Sequence, residues 1–228
     1  IKNYFFTNLF SLDKLNLSHN RILSIQKESF ANLTGLTKLD LSMNFIFRLE
    51  NGLFDNLKKL KLLILNDNVI KKLDMNVFNY QDSLNFFQIA SNHIENFHLS
   101  SKYFPNLTHL DLSFNNNLRY LYVENSENIA HLNLNSNKNL DPKSYTNKTG
   151  RLKFAYLSSI SNDFLIKLGN NSFGNLRELD LSDNILMNFK PIILFFNRFN
   201  NYLKKLILKN THLNFYLNYS FNFLALDE

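Results

Sequence analysis

The residues here that could do chemistry are few. His109 and His131 stand 22 residues apart, with Asp111 two places beyond the first. Two imidazoles and a carboxylate on one face would be the start of a metal site, or a spot titrating near pH 6. A metal needs further ligands, and none is spaced to join them. The chain has no cysteine, which removes thiolate ligands, thiol nucleophiles and disulfides together. No Gly-rich phosphate loop, His-Glu-x-x-His helix or Gly-x-Ser-x-Gly elbow occurs in the 228 residues, so no familiar catalytic frame is present. Polar residues recur at fixed intervals rather than converging. Catalysis, a cofactor and a bound metal are therefore not expected, and the histidines read as solvated surface groups.

The interval itself is the informative feature. Leu-x-x-Leu-x-Leu-x-x-Asn-x-Leu/Ile appears first as Leu12, Leu15, Leu17, Asn20 and Ile22. It recurs as Leu36, Leu39, Leu41, Asn44 and Ile46, and again as Leu60, Leu63, Leu65, Asn68 and Ile70. Copies start near 12, 36, 60, 84, 107, 129, 152, 176 and 203 after a partial copy at 1–11, all in one array over 1–228. The alternation Leu15-x-Leu17 predicts a short strand with one buried face. Such a strand cannot stand alone, so the copies must stack as a parallel sheet whose back is covered by the rest of each copy. Asn20, Asn44, Asn68, Asn92, Asn115, Asn137 and Asn184 fall where the chain leaves the strand. An inward carboxamide there can both donate to and accept from peptide groups that would otherwise be buried unpaired. Phe30, Phe54 and Phe78, with Phe104, Phe173 and Phe221 slightly displaced, form a second column, expected to pack as a spine behind the sheet. Copies five and six (Asn115-Asn116-Asn117-Leu118 and Asn137-Lys138-Asn139-Leu140) place the apolar anchor one residue late, and copies seven and nine put Ile160 and Thr211 in the Asn column. Looser convex structure or altered curvature is expected over roughly 115–175.

This pattern resembles the leucine-rich-repeat superfamily over nearly the whole chain. The 24-residue copy with Phe at position 19 and Leu at position 22 is similar to the typical subclass of Toll-like receptor and chaoptin-like ectodomains. The resemblance implies an α/β repeat solenoid: a horseshoe with a concave parallel β-sheet and convex loops, 3-10 turns or short helices. It implies a non-enzymatic recognition module of an extracellular or cell-surface protein, with an intracellular scaffold or adaptor as the alternative that the missing cysteines allow. A protein ligand or co-receptor is the expected partner. Dimerisation, and membrane anchoring of a longer parent, stay open. Neither end shows a polar capping unit, and the expectation is a section of a longer array.

With the leucines inward, the intervening residues make the concave face. The column before the second Leu reads Lys14, Lys38, Leu62, Phe86, His109, His131, Phe154, Glu178, Lys205. The next reads Asn16, Asp40, Ile64, Gln88, Asp111, Asn133, Tyr156, Asp180, Ile207. Leu62, Ile64, Phe86, His109, Asp111, Phe114, His131, Phe154 and Tyr156 are the candidate ligand-binding residues, an apolar-centred surface about 20 Å long at ~4.8 Å per strand. Asn-x-Ser/Thr acceptors lie at Asn16, Asn32, Asn106, Asn147, Asn170 and Asn218; in a chain with 39 asparagines, composition alone generates most of them. The net charge of +6 is spread along the chain without a basic run, and nucleic-acid binding is not expected. Apolar stretches such as Ile192–Phe196 are far short of the ~18 residues that suggest a membrane span.

Overall fold

The computed structural model describes residues 1–141, 143, 151–160, 163–165, 175–186 and 202–212. Nine three-residue strands form one parallel sheet. They are β1 (Lys14–Asn16), β2 (Lys38–Asp40), β3 (Leu62–Ile64), β4 (Phe86–Gln88), β6 (His109–Asp111), β8 (His131–Asn133), β9 (Phe154–Tyr156), β10 (Glu178–Asp180) and β11 (Lys205–Ile207). Each begins two residues after a copy start, and the register is unbroken: Lys14 faces Lys38, Leu62 faces Phe86, His109 faces His131, Glu178 faces Lys205. The described turns thus stack at the spacing of adjacent strands, about 4.8 Å. Lys27–Phe30 and Met75–Val77 form 3-10 turns on the convex side.

The inward residues account for the core. Leu39, Leu41, Leu63, Leu65, Phe87 and Ile89 are fully buried, each side chain contributing about 1.5–3 kcal/mol by leaving water. Behind the sheet Phe30, Phe54 and Phe78 are buried and stack with centroids 6.5 and 5.3 Å apart; Phe104 meets Phe78 edge-on at 4.9 Å. Phe173 and Phe221 lie outside the described residues.

The Asn column does what its chemistry suggested. Asn68 Nδ2 donates to the Leu41 carbonyl of the preceding turn and to Leu65 of its own, while its Oδ1 accepts the Ile46 N–H. Asn44, Asn92, Asn115 and Asn184 repeat this arrangement. Just before each such residue the backbone turns left-handed. His19, Met43, Asp67, Ser91, Phe114, Ser136, Ser159, Asp183 and Asn210 all have φ between 51° and 60°, and none is glycine. The conformation costs roughly 1–2 kcal/mol per residue. It aims their N–H groups at the next turn, as in Met43 to Asn66 and Phe114 to Asn135.

On the convex side β5 (Asn96–Ser100) and β7 (Tyr120–Glu124) form a second parallel sheet, so residues 120–124 at the start of the less regular stretch are ordered as a strand; 144–150, 161–162 and 166–174 lie outside the described residues. Phe97, Leu99, Leu121 and Val123 point inward and are buried. After a single intervening residue, the late anchor Leu118 is followed by the strictly alternating Tyr120-Leu121-Tyr122-Val123, a strand pattern in its own right.

Candidate functional site

On the concave face one column forms a continuous ladder of rings. Phe86 stacks on His109 with centroids 4.2 Å apart, His109 on His131 at 3.9 Å, and His131 on Phe154 at 4.1 Å. The last two pairs are within 13° and 7° of parallel. Strand register makes this unavoidable: β4, β6, β8 and β9 are neighbours, and their first residues are these four. The stack uses up the ring faces between neighbours, so what a ligand meets is mainly ring edges and imidazole nitrogens.

Both histidines are held neutral. Thr108 Oγ1 donates to the Asn85 carbonyl at 3.1 Å and lies 2.8 Å from His109 Nδ1. The Thr108 contact orients the His109 ring. Burial, then the neighbouring His131, pushes the His109 pKa down from 6.5 to about 4. His131 is lowered as well, first by burial and then by Lys153, with Glu178 opposing. A titration near pH 6 is therefore displaced into acid. Asp111, the imagined third ligand, has its Oδ1 taken by the Ser113 N–H and hydroxyl at 2.9 and 2.7 Å. Among the described residues no group of three or more metal-ligating side chains is placed to hold an ion.

The other candidate residues distribute around the ladder. Leu62 and Ile64 continue the two columns on β3 and are half-buried; Phe86 is exposed at 40%. Tyr156 lies in the column beside the ladder, facing Asn133 and Asp180 in register. Its hydroxyl pKa is raised by burial and then by Glu178; Glu178 is paired with Lys205 at 2.9 Å. Phe114 is not on a strand. It occupies the left-handed position after β6 and stands exposed on the rim.

Of the glycan acceptors, Asn16 is exposed on β1, Asn32 is half-buried and Asn106 is exposed. Asn106 Nδ2 donates to the Asp82 carbonyl at 2.9 Å. Asn147, Asn170 and Asn218 lie outside the described residues. One clustering escaped the sequence reading, which took the cations as dispersed. The residues just before β9, β10 and β11 are Lys153, Arg177 and Lys204, linked by backbone hydrogen bonds of 2.7 Å into a basic row beside the ladder. The copy starts alone would have revealed it.

The leucine rich repeat family model matches residues 1–46 and 34–94. No curated protein sequence matches the chain. Among solved structures, the LRIM1/APL1C complex superposes with a TM-score of 0.73 at 24% identity, covering 92% of this chain and 37% of that one. The leucine-rich repeat domain of APL1B gives 0.67 at 21%, covering 92% and 60%. Toll from the Drosophila Toll–Spatzle complex gives 0.55 at 19%, covering 88% and 35%. The chain thus spans between about a third and three fifths of the length of these proteins, and the likeness is one of fold. The family model matches residues 1–94, and the repeat spacing and parallel sheet continue through the other described residues: this chain has the leucine-rich-repeat fold.

Proposed function

We propose that the chain is a non-enzymatic recognition module that binds a protein ligand on its concave face, as part of an extracellular receptor or adhesion ectodomain. The observation that carries this is the neutral Phe86–His109–His131–Phe154 ladder, bordered by Leu62, Ile64 and Tyr156. Rigid rings already locked in place lose little side-chain entropy on binding, and aromatic residues are preferred anchors of protein interfaces. Two solved neighbours support a protein partner: LRIM1 was solved with APL1C, and Toll with Spatzle. Toll's complex is described as a hub in development and innate immunity, which makes a receptor role the natural context to test. Among the described residues no helix is long and apolar enough to cross a membrane.

The test is a screen of the purified chain against an array of secreted and cell-surface proteins. It is repeated with Phe86→Ser and Tyr156→Ser. Ligands of the concave face should be lost by both variants at unchanged melting temperature; retention of every ligand sinks the assignment. The alternative, an intracellular scaffold of the same fold, predicts no glycan at Asn106 in the native protein.

A further inference from the structure

The edge where the first copies leave their strands carries apolar side chains that the concave reading leaves unused. Phe45 and Phe47 flank Ile46, which is fully buried, so both point outward from the same edge. Leu23 stands beside Phe47, whose N–H donates to the Leu23 carbonyl, and Val69 follows in the next turn, its N–H on the Ile46 carbonyl. Leu23, Phe45 and Phe47 are 60%, 52% and 50% exposed. One and two copies further on, the same columns carry His93, Glu95 and Asn116, so the patch is confined to the start of the array. Its backbone donors are already used between turns. Phe45 N–H bonds the Ile22 carbonyl, and the Ile22 and Ile46 N–H groups bond Asn44 and Asn68 Oδ1. An added strand would find no donors there.

Long cations border the patch. Arg21 precedes Ile22, and Arg48 follows Phe47 with its guanidinium carbon 5.9 Å from the ring centroid. Lys71 and Lys72 hold the positions of Phe47 and Arg48 in the third copy. All four are exposed. Glu50 is turned to the convex side, where it accepts the Lys27 N–H, and Asp67 and Glu95 lie at the margins. An apolar centre with a cationic border selects an anionic partner that also accepts apolar side chains.

We propose that this edge docks on an anionic lipid bilayer, with Leu23, Phe45 and Phe47 entering the headgroup–acyl boundary and the four cations meeting the headgroups. Insertion of apolar side chains together with attraction to anionic lipid is how amphipathic surfaces hold a membrane interface. Arg and Lys suit the border because their stems lie along apolar surface while their charges stay in water. Anchors of protein interfaces are packed into pockets of the partner; these side chains project from an edge, and fluid lipid needs no matching shape. A second copy of the chain is disfavoured, since two such edges would bring like charges together.

Vesicle flotation tests the proposal, with phosphatidylcholine alone and with about one third phosphatidylserine. The chain should float with the anionic vesicles, bind the neutral ones far less, and be released by salt. Phe45→Ser with Phe47→Ser should weaken binding about tenfold or more. Arg48→Gln with Lys71→Gln should weaken it about fivefold for each charge removed. All four side chains are exposed, and melting curves establish that both variants remain folded. The proposal is overturned if the anionic vesicles are not bound, if neutral vesicles bind equally, or if the Phe45→Ser, Phe47→Ser variant binds like the parent. It is equally overturned if that variant loses an acidic protein ligand while vesicles go unbound, which would make the edge a protein interface. Phe86→Ser should leave vesicle binding unchanged, so these outcomes are separate from protein binding at the concave face.

Discussion

Asn92 and Asn137 occupy the same repeat position, yet replacing each with alanine should cost different amounts. Asn92 Nδ2 donates to Leu65, Ile89 and Ala90 carbonyls, and Oδ1 accepts the Ile70 N–H at 3.0 Å. All three carbonyls have a second donor, from Asn68, Asn115 and the Asp67 N–H respectively. The group stranded by Asn92→Ala is thus the Ile70 N–H, on a residue with no exposed surface. An unsatisfied buried donor costs about 1–3 kcal/mol, and the lost packing brings the total to about 2–4 kcal/mol. Asn137 is already incomplete. Its Oδ1 is buried with no partner, because copy five places Asn117 where an apolar anchor should donate, and Leu118 N–H turns back to the Asn115 carbonyl instead. Asn137→Ala strands one acceptor, the Leu134 carbonyl, while removing an orphaned oxygen. Its cost should be about 1 kcal/mol. Chemical denaturation followed by circular dichroism gives both values, with a thermal shift of roughly 2–4 °C per kcal/mol at this size. Equal costs, or a larger cost for Asn137→Ala, would refute this hydrogen-bond accounting.

Other expectations follow from the same structure. Phe54→Ala, in the middle of the stacked spine, should cost about 3–5 kcal/mol, against less than about 0.5 kcal/mol for Phe45→Ala, which is exposed; parallel denaturation curves compare them. Gly35→Ala would bring a Cβ within 2.7 Å of the Phe10 carbonyl oxygen, and should lower the melting temperature by displacing residues near Phe10. The depressed histidine pKa values make a pH prediction. The unfolded chain takes up protons near 6.5 while folded His109 resists until about 4. The stability it contributes is complete above 6.5 and is lost as pH falls toward 4. Around the pair stand Lys153 and Glu178, with Asp111 in the adjoining column. Melting temperatures from pH 7 to 4 should fall less steeply for His109→Asn with His131→Asn than for the parent, and parallel slopes would count against the half-buried neutral pair.

Most of the fold was legible because each inward position obeys a local rule. Leu39 and Leu41 alternate as a strand must, and Asn68 sits where a turn needs a donor and an acceptor together. The ladder was legible only as a column of names. That four rings stack depends on strand register across copies of 22 to 24 residues, which fixes Phe86 beside His109 whatever the convex loops do. The low pKa of His109 comes from burial between neighbours, a quantity no single copy contains. The convex sheet was missed although its signal was present. Asn96-Phe97-His98-Leu99 and Tyr120-Leu121-Tyr122-Val123 alternate polar or aromatic with apolar, one copy apart. The late anchor at Leu118 points to looser convex structure or altered curvature, and just beyond it a second regular pattern begins.

The ladder also has a mechanical meaning. Its rings are 3.9–4.2 Å apart, while the strands that carry them are spaced at about 4.8 Å. Side-chain tips on the inside of an arc are crowded relative to the backbone beneath them, and these rings are already near contact distance. Further bending would drive them into overlap, so the stack is a stop that limits how tightly the arc can close between β4 and β9. Straightening meets no such barrier, only the gradual loss of ring contact. A partner that wedged a side chain between two rungs would have to flatten the arc there, and binding would then be felt as a change in the separation of the two ends of the solenoid.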